Sequence, residues 1–424
     1  MTEDPLSALI HRQNAGEPAG LTSVCSAHPV VLASALAEGT RLGRPVLIEA
    51  TCNQVNQEGG YTGLSPAGFR ALVNGLAAEE GLDPGLLILG GDHLGPNPWR
   101  HLPAATAMDR AKAMVAAYVV AGFTKIHLDT SMPCRDDPSP LPETVIADRA
   151  ATLAAVAEAQ SAGQRLHYVI GTEVPVPGGA TEHLDTLTVT SPTAAAETLR
   201  LHRDAFARHG VAAALDRIVA LVVQPGVEFG HENVIAYAPE AASALSAARR
   251  DLGLVFEAHS TDYQTPAALA ALVRNGFAIL KVGPWLTFAL RETLYGLDAI
   301  AAELTGTAPL RAGMEALMLA RPEHWQSHYH GTPAEQRLQR HFSYSDRIRY
   351  YWADPAAQAL VTELMAQLPP RIPETLISQY LAPAWPEVLS GRTESSPDAL
   401  LRAAVARVLR VYGRACHGAA PQDP

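Results

Sequence analysis

"LILGGDHLGPNPW" (Leu87–Trp99) decides how the rest of the chain is read. An apolar run meets two glycines. Asp92 and His93 then stand side by side, and a loop stiffened by prolines follows. A short, near-continuous apolar run is what a strand buried on both faces looks like. Ending such a strand on an acid and an imidazole is costly unless those groups find partners.

The same arrangement recurs along the chain. "TSVCSAH" (22–28), "PVLIEAT" (45–51), "LLILGGD" (86–92) and "KIHLDTS" (125–131) are followed by "LHYVIGTE" (166–173), "RIVALVVQ" (217–224), "GLVFEAHS" (253–260) and "FAILKVG" (277–283). Almost every run finishes on a polar residue. Ala- and Leu-rich stretches with helical periodicity lie between them, such as "PVVLASALAEGTRLG" (29–43) and "TPAALAALVRNGF" (265–277). Eight strand–helix repeats over about 260 residues predict a (β/α)8 TIM barrel. The competing arrangement is an open doubly wound sheet. No G-x-G-x-x-G follows the first strand, so dinucleotide binding has no support.

The chain has 424 residues and is 48% hydrophobic, enough for a barrel plus an appendage. We expect a helical lead-in over 1–20, the barrel over 21–300 and a helical C-terminal extension over 301–424. The extension has Pro-rich joints at 369–374 and 383–386, and its tail after about 417 is expected to be disordered. A net charge of −11 with no basic run argues against nucleic acid or an anionic membrane as partner. The acidic start "MTEDPLSALIHRQ" has no signal-peptide core, and no uninterrupted apolar stretch reaches membrane-spanning length. The expectation is a cytoplasmic protein. Four scattered cysteines without C-x-x-C spacing argue against a disulfide framework or a cysteine zinc site.

In a closed barrel all the strand ends converge on one face, where active sites of this architecture sit. His93 is a candidate metal ligand and Asp92 a candidate proton shuttle. The plainer alternative is a cap followed by a satisfied histidine. The glycines before the pair allow backbone or ligand to approach closely. Glu257 and His259 are two apart on a strand and face the same way. Ser260 and Thr261 after them either cap the next helix or help its amides hold a phosphate. Asp129 and Glu173 close the fourth and fifth runs, and Gln224, Glu228 and His231 follow the sixth. Imidazoles converging with carboxylate or amide oxygens suit a divalent ion such as Zn²⁺. Lys281 offers an amine for a Schiff base with a ketose, but a salt bridge to a nearby acid is the favoured reading. Arg347 and Arg349 in "SYSDRIRYYW" (343–352) either grip a phosphate or form an ion-paired surface.

The stretches "SVCSAHP", "LIEATCNQVNQEGGYTG", "LGGDHLGPN", "KIHLDTSM", "YVIGTEVPVPGG", "VVQPGVEF", "VFEAHSTDYQT", "ILKVGP" and "SDRIRYYW" together resemble the GatZ/KbaZ family. These are the large subunits of bacterial D-tagatose-1,6-bisphosphate aldolase, once described as tagatose-6-phosphate kinases. The resemblance runs from Ser23 to Pro383. It implies a barrel related to class II, zinc-dependent ketose-bisphosphate aldolases, and a role in galactitol, tagatose or N-acetylgalactosamine breakdown. Some members support a separate, smaller aldolase subunit; others act alone as 4-epimerases of tagatose 6-phosphate.

Set beside class II aldolases, "GGDH" (90–93) falls on their Asp-His pair. Asp92 is then the acid/base and His93 a ligand, and "EVPVPGG" (173–179) makes Glu173 similar to a ligand glutamate. "LVFEAHST" (254–261) overlays Glu257 on a histidine ligand and Ser260 on a phosphate-binding serine. Gln224-Pro225-Gly226 stands where a His-Gly is found. The implied metal set is His93, Glu173, Gln224 and His259 around Zn²⁺, with Mn²⁺ the alternative. Asp92, Glu257 and Asp129 are the implied catalytic acids. Asn53, Gln57, Ser260, Thr261, Lys281, Arg347 and Arg349 are the implied contacts of a phosphorylated ketohexose. Assembly with further copies is left open. No G-x-x-x-x-G-K-[ST] loop is present, which speaks against a kinase.

Overall fold

The computed structural model describes residues 4–171 and 187–417. Six parallel strands come first: β1 (Leu21–Cys25), β2 (Val46–Thr51), β3 (Leu87–Leu94), β4 (Lys125–Leu128), β5 (His167–Ile170) and β6 (Ile218–Val222). A short antiparallel hairpin, β7 (Glu228–Phe229) and β8 (Val234–Ile235), rises from the loop after β6. β9 (Val255–Ala258) and β10 (Phe277–Val282) complete the barrel, which closes where Ser23 of β1 lies opposite Lys281 of β10. Each barrel strand coincides with one of the eight apolar runs, β1 starting one residue earlier and β3 ending two residues later, and the TIM-barrel expectation holds. The hairpin was not foreseen.

Nine helices lead up to and surround these strands: α1 (Pro5–Asn14), α2 (Pro29–Leu42), α3 (Pro66–Glu79), α4 (Ala104–Val120), α5 (Glu143–Gln160), α6 (Pro192–Arg208), α7 (Ser243–Leu252), α8 (Pro266–Arg274) and α9 (Pro284–Thr305). Proline opens most of them because its fixed φ suits the first helical turn and its missing N–H costs nothing there. Ser65, Ser191 and Thr265 accept backbone N–H bonds at the starts of α3, α6 and α8. Thr265 is therefore the cap of α8; Ser260 and Thr261 lie upstream of it.

The barrel interior is layered. Strand alternation sends Leu47, Ile88, Val169, Val255 and Ile279 into the lower interior, where Leu6 and Leu9 of α1 pack against them as a floor. Above this floor sits a buried layer of ions. Lys125 Nζ lies 2.6 Å from Glu49 and 2.7 Å from Glu257, and Lys281 Nζ lies 2.5 Å from Glu49 and 3.0 Å from Glu257. Gly90 faces Glu49 in register, and a Cβ there would come within 2.5 Å of the Glu49 carboxylate. A Cβ on Gly91 would meet Leu94 and Tyr118. The two glycines thus make room for neighbouring protein groups.

Six further helices follow: α10 (Pro309–Ala320), α11 (Pro333–Phe342), α12 (Pro355–Gln367), α13 (Glu374–Tyr380), α14 (Trp385–Leu389) and α15 (Pro397–His417). The boundary expected near residue 300 falls inside α9. α15 packs on α2, α8, α9 and β1, and its apolar residues join the core shared by the barrel and its helices. The Gly20 N–H donates to the Cys416 carbonyl at 2.9 Å. The tail expected after 417 lies outside the described residues. Among the described residues no helix is long and apolar enough to cross a membrane.

Candidate active site at the barrel mouth

Above the ion layer the strand ends bring three imidazoles together. The ring centres of His93 (β3), His127 (β4) and His259 (after β9) are 4.9–5.3 Å apart. Asp92 joins them, and one ligating atom from each of the four lies within 4.8 Å of the others. All four are buried.

Each ring is oriented by an acid. Asp129 bonds His93 Nδ1 at 2.7 Å while its other oxygen accepts from the Ser131 hydroxyl at 2.6 Å. Glu257 holds His259 Nε2 at 2.9 Å, and Asp92 holds His127 Nδ1 at 2.7 Å. Among the described residues this leaves one nitrogen of each ring without a protein hydrogen bond; that of His127, Nε2, is a buried polar atom with no partner among them. Carboxylate-oriented imidazoles are how proteins prepare nitrogen ligands. A compact set of nitrogens with one carboxylate, including an orphaned buried nitrogen, fits a borderline divalent ion. A second acidic group, Glu49, Asp92 and Glu257, is also compact, but Lys125 and Lys281 already occupy its charge.

The electrostatics follow from these partners. Burial opposes charge on Asp92, yet His93, Lys281 and His127 outweigh it and hold the carboxyl well below its usual range. Burial, with the Lys281 charge, lowers His259 to about 3, so that ring is neutral. Burial would discharge Lys281, but Asp92, Glu257 and Glu49 hold its pKa well above normal. Lys281 is therefore an ion-paired ammonium, as the salt-bridge reading held. His93 (φ 49°) and Ser260 (φ 52°) both adopt the left-handed region, which disfavours side chains. Such strain concentrates at functional sites.

The cluster opens into a cavity of about 680 Å³ of atom-free space, continuous with solvent. Asp92, His93, His259, Ser260 and Lys281 line it from the barrel, Asn53 and Tyr61 from the loop after β2, and Arg349 and Tyr350 from the segment following α11. The other sequence candidates sit differently. Glu173 lies outside the described residues. Gln224 Oε1 accepts from the Gly226 and Val227 amides and so braces its own turn. The Thr261 hydroxyl donates to the Lys281 carbonyl, and Gln57 donates to the Arg110 carbonyl away from the cavity. Arg347 donates to the His324 carbonyl, and His231 bonds the serines at 343 and 345.

His127 was missed by the sequence reading, although its signal was present. In "KIHLDTS" it lies two residues before Asp129 and so shares its face of the strand. Tyr61 and Tyr350 were missed because nothing in their own segments says that a barrel mouth lies beneath them.

The model of the D-tagatose-1,6-bisphosphate aldolase subunit GatZ/KbaZ-like family matches residues 6–417. The chain belongs to this family. It is 57% identical over 415 residues, 96% of this chain and 97% of the relative, to a protein of Agrobacterium fabrum (strain C58 / ATCC 33970) named D-tagatose 6-phosphate 4-epimerase. A crystal structure described as a probable tagatose 6 phosphate kinase from Sinorhizobium meliloti 1021 superposes with a TM-score of 0.88 at 55% identity, covering 94% of this chain and all of that one. In this GatZ/KbaZ-like chain the buried histidine–carboxylate cluster lies on the face where the barrel strands end.

Proposed function

We propose that this chain is a metal-dependent ketose-phosphate 4-epimerase, interconverting D-tagatose 6-phosphate and D-fructose 6-phosphate in galactitol or tagatose breakdown. The observation that carries this reading is the three-imidazole cluster beside an ionised Asp92, in a cavity that also presents Arg349 and Ser260. The name of the Agrobacterium relative supports the substrate.

The chemistry narrows the route. The C4 hydrogen of a 2-ketose is not activated by the C2 carbonyl, so deprotonation does not invert that centre. Transient oxidation would need a dinucleotide, and the sequence has no motif for one. Breaking and re-forming C3–C4 remains. His93, His127 and His259 would hold the ion, with Glu173 a further ligand on the strength of its motif. A bound divalent cation supplies Lewis-acid stabilisation of the negative charge that develops on the C2 and C3 oxygens. Asp92 takes the C4 hydroxyl proton as the bond breaks. Lys281 and His127 fix one Asp92 oxygen at 2.7 Å each and so orient the carboxylate. Arg349 and Ser260 bind the phosphate, and Asn53 a sugar hydroxyl.

The test uses the purified chain with Zn²⁺ or Mn²⁺ and D-tagatose 6-phosphate, with fructose 6-phosphate followed by a coupled assay. Product that requires both metal and Asp92, lost in Asp92→Asn, supports the epimerase. The family description as an aldolase subunit favours a second reading, a supporting partner of a separate aldolase. No product alone, but longer-lived activity of a co-expressed aldolase, would establish that reading instead.

A further inference from the structure

Inverting a carbinol centre by bond cleavage sets a requirement that a simple aldolase does not face. The C4 oxygen points to opposite sides in the two epimers. One acid–base group serves only the epimer whose oxygen faces it, so a second group must stand on the other side of the aldehyde. Asp92 occupies the barrel side of the cavity. The segment after α11 lines the same cavity from outside the barrel strands, and Tyr350 is the ionisable hydroxyl it presents there.

Tyr350 is held for such a task. Its ring stacks on His324 with centroids 5.2 Å apart and meets the edge of Tyr61 at 4.7 Å. Arg349 Nη2 donates to its hydroxyl at 3.0 Å. The guanidinium carbons of Arg349 and Arg347 lie 4.5 and 4.9 Å from its ring centre. Burial favours the neutral phenol, but the two arginines outweigh it and lower its pKa below the ordinary tyrosine value. Among the described residues the other ionisable candidates around the cavity are engaged or harder to ionise. Asp262 accepts from the Gly283 and Trp285 amides at the start of α9. The Cys25 thiol donates to Asp92 itself. Burial, with the neighbouring Tyr350, pushes the Tyr61 phenol well above its ordinary value.

Resting on the retro-aldol reading above, we propose that Tyr350 is the proton donor and acceptor for the C4 oxygen on the face opposite Asp92. In one direction the Asp92 carboxylate takes the C4 hydroxyl proton as C3–C4 breaks. The bonding pair enters the enediolate over C2 and C3, and C4 becomes an aldehyde. The aldehyde turns its other face, the enediolate pair re-forms C3–C4, and the carbonyl π pair becomes an alkoxide that takes the phenolic proton. Asp92 has gained one proton and Tyr350 has lost one; solvent restores both after product leaves. The reverse reaction uses the same groups with roles exchanged.

The experiment compares wild type, Tyr350→Phe and Asp92→Asn, each loaded with metal. Interconversion is measured in both directions, and triose phosphate released by acid quench at enzyme excess reports cleavage of each epimer. Melting midpoints check that folding is unchanged. For Tyr350→Phe we expect interconversion to fall at least about 100-fold, with wild-type cleavage of one epimer and none of the other. Asp92→Asn should show the mirror pattern, cleaving only the epimer that Tyr350→Phe does not. Interconversion within about threefold of wild type would overturn the assignment. So would equal loss of both cleavages with a raised KM, which would make Tyr350 a binding group. Wild type that neither interconverts nor cleaves would sink the epimerase reading itself, a separate failure.

Discussion

At the scale of single residues the site is a set of acids each holding a base in one tautomer. His127 is the sharpest test, because its Nε2 is buried with no partner among the described residues. His127→Ala should lose bound metal, read by elemental analysis, and at least about 100-fold in kcat/KM. Lys281 makes the opposite prediction. Three carboxylates keep it charged, so borohydride with substrate should give no covalent adduct by mass spectrometry. Lys281→Met leaves those acids short of a cation and should destabilise the fold by roughly 3–5 kcal/mol. Glu228, fully buried at the start of β7, titrates differently. Burial raises it from 4.5 to about 7, against the bonds from the Phe229 amide and Ser260. The folded state then holds this proton more tightly than the unfolded chain does. Its contribution is complete below about pH 4.5 and is lost as pH rises through about 7, a loss of roughly 3 kcal/mol. Melting curves of Glu228→Gln should lack that decline.

At the scale of elements, the strands were legible because their two-sided burial leaves nearly unbroken apolar runs. Which side chain does what was legible only where a polar residue ended a run, as with Asp92, His93 and His259. His127 escaped because it sits inside its run, where a polar residue reads as an interruption, and Lys125 because it opens its run rather than ending it. Thr261, Gln57 and Arg347 lie past strand ends or in irregular segments, where no periodicity fixes the direction of a side chain. The role of α1 as a floor is absent from its own residues, since an apolar face does not name its partner. Gly90 gives an element-level prediction. Gly90→Ala forces a methyl onto the Glu49 carboxylate, so β2 and β3 must separate or the ion layer must rearrange. A loss of about 1–3 kcal/mol, seen in denaturant midpoints, is expected from such overpacking.

At the scale of the whole molecule, barrel and extension are coupled, and the proposed ion would be coupled to both. An ion that binds only the folded cluster stabilises it by mass action. Chelation should therefore lower the melting temperature as well as abolish activity, and Zn²⁺ or Mn²⁺ should restore both. The sequence announced a helical extension but not that α15 returns to the first strand, because contacts across nearly 400 positions leave no local trace. That return has a consequence for synthesis. β1 emerges from the ribosome well before its neighbour β10 and, later still, its cover α15, and Gly20 waits for Cys416. Contacts of such sequence separation form late. A message broken before codon 397 would therefore yield no smaller working barrel, only a chain with its first strand uncovered, and such products should be cleared by proteases.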